Sequence, residues 1–63
     1  MKWQQVDKYY MKSKQGDLTY YISKSIIYEK VIYELWNGNK WLFKDNDLEK
    51  VKRYAAQVTK DNV

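Results

Sequence analysis

Residues 31–43 read Val31-Ile32-Tyr33-Glu34-Leu35-Trp36-Asn37-Gly38-Asn39-Lys40-Trp41-Leu42-Phe43. Two runs of β-branched and aromatic residues flank a turn signal, which is the pattern of a β-hairpin. Asn37-Gly38 suits a type I′ turn, whose two central residues both need positive φ. A two-residue loop there pairs Trp36 with Asn39, Glu34 with Trp41, Tyr33 with Leu42 and Ile32 with Phe43. Val31, Tyr33, Leu35 and Leu42 then share one face, and Ile32, Trp36, Trp41 and Phe43 the other. A three-residue loop through Asn39 instead sets Tyr33 opposite Phe43 and Leu35 opposite Trp41. Side chains alternate across a sheet with a period of two, so one residue of register changes which aromatics are buried. The two-residue loop is the expectation, with Trp36 and Trp41 on an open face beside lysines.

Upstream, the polar turn formers Ser13-Lys14-Gln15-Gly16-Asp17 separate one aromatic segment from another beginning at Leu18, a second hairpin signal. A loop over residues 14–17 sets Tyr9 opposite Ile22 and Met11 opposite Tyr20, with Tyr10 and Tyr21 together on the other face. Tyr20 to Ile27 has strand composition but is interrupted by Ser23-Lys24-Ser25, which reads as a bulge, a bend or an edge. The link through Glu29-Lys30 lacks the Gly or Asn of a primed two-residue turn.

Downstream of Lys44 the apolar period changes from two to about 3.6, with Leu48, Val51, Tyr54, Ala55 and Val58 on one side. Asn46 with Glu49 three residues later resembles a capping box, and Asp45 is an alternative cap. A helix is expected from about Asp47 to Thr59, with the last residues frayed. The fold class is α+β. A single domain over residues 1–63 forms a four-stranded antiparallel β-meander, with one C-terminal α-helix packed on one face (ββββα).

In a domain of 63 residues a single core rarely supplies more than roughly 3–5 kcal/mol of net stability. The chain has no cysteine and no histidine, so neither disulfides nor structural zinc reinforce it. Seven Tyr, three Trp and one Phe provide area for packing or association instead. The net charge is +4 and the pI about 9.3, which favours polyanions. Apart from Arg53 the basic residues are all lysines, point charges that hold phosphate diffusely rather than by a bidentate fork. No apolar run approaches the about 20 residues of a membrane span, and the opening Met1-Lys2-Trp3-Gln4-Gln5 lacks the apolar core of a secretory signal. A cytoplasmic protein with no membrane partner is expected.

No catalytic residue, cofactor site or metal site can be assigned. Ser13, Ser23 and Ser25 lack a base in the sequence. Asp45 and Asp47 sit in a loop without the glycine and distal glutamate of a calcium loop, and helix capping accounts for both. The stripe Lys50, Arg53, Gln57, Lys60 reads as a solvated helix face. The candidate site is the sheet face the helix leaves open, with Tyr10, Lys12, Tyr21, Lys24, Trp36, Lys40, Trp41, Phe43 and Lys44 as its residues. Aromatics on which bases stack, interleaved with lysines for phosphates, are what single-stranded nucleic acid requires. Tyr and Trp are also interface residues, so the alternatives are a host protein complex on which the chain acts as an inhibitor or accessory, or a homodimer through the same face.

Several elements together carry a resemblance: Trp3 before Val6 and Tyr9, the Gly16 turn leading to Tyr21-Ile22-Ser23-Lys24, Tyr33-Glu34-Leu35-Trp36 with Gly38, and Leu48 with Lys52 and Ala55. The chain resembles short phage and prophage proteins of sheet-plus-helix type over nearly its whole length. That resemblance implies a compact sheet-plus-helix fold and a phage or mobile-element origin, and assigns no functional residue. The order of four strands and a helix is also similar to the PC4-like single-strand DNA binders, in architecture only.

Overall fold

A computed structural model describes residues 1–61, with side chains described as far as Thr59. The strands are β1 (Gln4–Gln5), β2 (Tyr10–Gln15), β3 (Leu18–Ile27), β4 (Lys30–Asn37) and β5 (Lys40–Asp45), and the helix is α1 (Leu48–Asp61). All neighbours pair antiparallel in the order β1-β2-β3-β4-β5. The meander thus has five strands rather than four, with the helix across one face. The added strand is β1, two glutamines paired with Lys12 and Met11. So short and polar a segment carries no strand signal. Asp7 closes the bend that follows, its carboxylate accepting from the N–H groups of Tyr9 (2.7 Å) and Tyr10 (3.2 Å).

Each hairpin turn corrects the sequence expectation in its own way. The first loop is Gly16-Asp17 alone, so Met11 faces Ile22 and Ser13 faces Tyr20, two positions from the expected register. An even shift leaves every side chain on its face, and Tyr10 and Tyr21 still meet, with ring centroids 6.3 Å apart. β3 then runs through Ser23-Lys24-Ser25 without a break, paired regularly with β4. Its turn to β4 is Tyr28-Glu29, with φ of 50° and 65°, the signs of type I′ in residues that rarely adopt them.

The third turn is Gly38-Asn39, neither of the two loops expected. Asn37 faces Lys40 and Trp36 faces Trp41. Gly38 has φ of 60° and Asn39 is not positive, the sign pattern of type II′, which takes glycine at its first central position. A register shift between Leu35 and Trp36 then skips Leu42, so Leu35 faces Phe43 and Glu34 faces Lys44. That β-bulge moves Phe43 from the expected open face to the helix side.

The helix is capped by Asp47, not by Asn46 or Asp45. Its carboxylate accepts from the Glu49 N–H at 3.0 Å, and its carbonyl accepts from Lys50 and Val51. Asp45 closes the preceding turn by accepting the Asp47 N–H at 2.9 Å. Asp47 wins because it immediately precedes the first helical residue, from which a short side chain reaches back to the free N–H groups. The helix continues past the expected Thr59 to Asp61, and the fraying expected at the very end falls partly on residues 62 and 63, outside the described residues.

Packing closes on one side of the sheet. Tyr20, Ile22 and Leu35 are buried there against Val51 and Ala55 of α1, with Met11, Tyr33, Leu42, Leu48 and Val58 partly buried around them. Phe43 stacks on Tyr54 at 4.3 Å and 10° between ring planes. β2 reaches only Tyr10, opposite Ser23, and β5 ends at Asp45, opposite Tyr33. Ser25 to Ile32 therefore continue as a two-stranded arm, and the molecule measures 38 × 20 × 19 Å.

Candidate nucleic-acid interface

The open face is organised by strand register. Lys12 lies opposite Tyr21, Tyr21 opposite Trp36, and Trp36 opposite Trp41, while Gln4 of β1 lies opposite Lys12. These pairs make one continuous row across all five strands. Directly opposed side chains sit about 4.5–5.5 Å apart at Cβ, so Tyr21, Trp36 and Trp41 are successive neighbours in a strip. The next row runs from Tyr10 through Ser23 and Glu34 to Lys44. Trp36 is anchored between the rows, its indole Nε1–H donating to Ser23 Oγ at 3.4 Å. Trp41, on the edge strand, keeps 47% of its surface exposed.

Six of the nine expected site residues come together on this face: Tyr10, Lys12, Tyr21, Trp36, Trp41 and Lys44. The other three do not. Lys24 lies opposite Tyr33 and lines a cleft of about 180 Å³ on the helix side with Met11, Ile22 and Leu48. Alternation along β3 forbids it from sharing a face with Tyr21 once the strand is unbroken. Lys40 lies opposite Asn37, itself opposite the buried Tyr20, and so falls on the helix side. Phe43 is taken by its stack on Tyr54.

Among the members of the face absent from the sequence expectation, two stand in the row beside the strip. Ser23 holds the Trp36 indole, and Glu34 is the acid between Ser23 and Lys44. Counting by twos from Tyr21 and back from Trp36 finds both, had the Ser23-Lys24-Ser25 stretch been read as regular strand. Lys12, Lys14, Lys30 and Lys44 all have the strand parity of this face, and Glu34 is its one acidic strand residue. The face is thus cationic as well as aromatic. Among the described residues there is no group of three or more His, Cys, Asp or Glu placed to hold a metal ion, and no helix is long and apolar enough to cross a membrane. Comparison with protein-family models, curated proteins and solved structures finds no match to this chain.

Proposed function

We propose that the chain is a non-enzymatic binding protein whose open sheet face holds single-stranded nucleic acid. The observation that carries this reading is the row Lys12, Tyr21, Trp36, Trp41 on the side of the sheet away from the helix. Every base has a π-face, so an aromatic strip binds without regard to sequence, at about 1–3 kcal/mol per stacked base. Lysines in and beside the strip neutralise phosphates, and their binding weakens as salt rises because condensed counterions are no longer released at a gain. Closing the same face against a second copy sets four lysines against four lysines, with Glu34 alone to offset them. A polyanion meets no such repulsion.

Tryptophan fluorescence tests the reading, since Trp36 and Trp41 lie in the strip. Adding a mixed-sequence DNA 15-mer is expected to quench emission at low salt, with an affinity that falls steeply between 50 and 200 mM salt. Unchanged emission and no binding at low salt sinks the proposal and returns the face to a protein partner.

A further inference from the structure

The arm has no role in the strip, and its composition is unusual for a free hairpin. Ile26 and Ile27 are 58% and 57% exposed, and Tyr28 at the apex is 94% exposed. Ile26 lies opposite Val31, on the helix-side parity, and Ile27 shares the open-face parity with Ile32 and lies opposite Lys30, so both sides of the arm carry aliphatic residues. Tyr28 and Glu29 are the two non-glycine residues with positive φ among those described. The other two turns each use glycine at the positive-φ position. A chain that holds tyrosine in a disfavoured backbone state, where Asn-Gly would sit at ease, keeps the side chain at the apex for what it contacts there.

From these features we infer that the arm is a wedge for a fork, the junction where a duplex opens into two single strands. Tyr28 stacks on the last base pair and Ile26 and Ile27 fill the space on either side as the strands part. The inference rests on the single-strand reading of the open face. A wedge between two strands meets bases on both sides and at its end, which matches an arm with exposed isoleucines on both sides and a tyrosine at its apex; a flat partner would need one apolar side only. Apolar side chains inserted at base steps are an established way to hold nucleic acid open. Charge agrees: Lys24 stands on the helix-side parity of the arm's base and Lys30 on the open-face parity, one cation for each departing backbone. Lys30 and Lys44 also line a cleft of about 580 Å³ with Val31, Ile32, Asp45 and Asn46, between the β4 side of the arm and the end of β5. At about 3.3 Å per residue the apex is roughly 20 Å along the sheet from Tyr21, a distance that a few nucleotides cover. Glu29 is acidic and suits base amino groups at the apex rather than phosphates.

Fluorescence anisotropy at fixed salt separates the inference from the reading beneath it. Three labelled DNAs are compared: a single strand, a blunt duplex, and a fork carrying that single strand on a short duplex. The fork is expected to bind at least about tenfold tighter than the single strand. The double variant Tyr28→Asn with Glu29→Gly, which gives the turn its preferred residues and so keeps the arm folded, is expected to lose that preference while holding single strands within twofold of the parent. Equal binding of fork and single strand by the parent overturns the wedge and leaves the strip standing, as does a variant that keeps its preference. No binding to any of the three overturns both.

Discussion

On the helix side of the sheet, Tyr20, Ile22 and Leu35 have lost essentially all contact with solvent; on the other side no large residue is fully buried and Trp41 stays nearly half exposed. Both faces are built from the same kinds of side chain, delivered by the same strands in alternation. The difference is the helix. Val51 and Ala55 complete one face, and no element among the described residues completes the other. A small domain is held by one covered face, which leaves the second free for aromatic residues whose burial would otherwise add to stability.

That contrast can be broken most forcefully at Leu35. Leu35→Ala is expected to cost about 3 kcal/mol, by lost transfer energy and a cavity that the sheet and helix close only in part. A 63-residue domain holds a total of only about 3–9 kcal/mol, so urea or thermal unfolding followed by circular dichroism should show much of the protein unfolded near physiological temperature. Trp41→Ala should do the reverse. Its stability loss is expected to stay under about 1 kcal/mol, while single-strand affinity falls about tenfold or more as one stacking platform is lost. If Trp41→Ala unfolds the protein as Leu35→Ala does, the two faces are not separate in their work.

The smallest expected effect has the opposite sign. Tyr20 is wholly buried, and its hydroxyl finds no hydrogen-bond partner. An unsatisfied buried hydroxyl opposes folding, so Tyr20→Phe should leave stability unchanged or raise it by up to about 1 kcal/mol, read from the urea midpoint at constant slope. A clear loss would mean that the hydroxyl has a partner in solution, and that the covered face contains a polar anchor.

Much of this arrangement is legible in the sequence, and the misses fall at a turn, at a bulge and at a polar stretch of strand. The helix follows from its 3.6-residue period, and the faces of Tyr10, Met11, Tyr20, Tyr21 and Ile22 from alternation, even where the expected partner is wrong by two. Turn chemistry fails where one signal serves two geometries. Asn37-Gly38-Asn39 contains both the Asn-Gly of type I′ and the Gly-Asn of type II′, and no local rule chooses between them. The bulge at Leu42 is chosen by the core instead, because it brings Phe43 over to Tyr54. Local polarity misleads at Ser23-Lys24-Ser25, which pairs as regular strand and whose Ser23 hydroxyl accepts from the Trp36 indole N–H.

The bulge has one more consequence, for how the chain tolerates change. Alternation works in each strand like a reading frame, and adding or removing one residue inside a strand exchanges every side chain beyond that point between the two faces. In β5 the frame already shifts once, at Leu42: Trp41 points out before it, and Lys44 points out after it. Strand β5 is therefore written in two frames. A one-residue deletion that would scramble β3 or β4 would, at Leu42, yield a regular ladder in which Trp41 still faces Trp36 and Phe43 still faces Leu35 on the helix side.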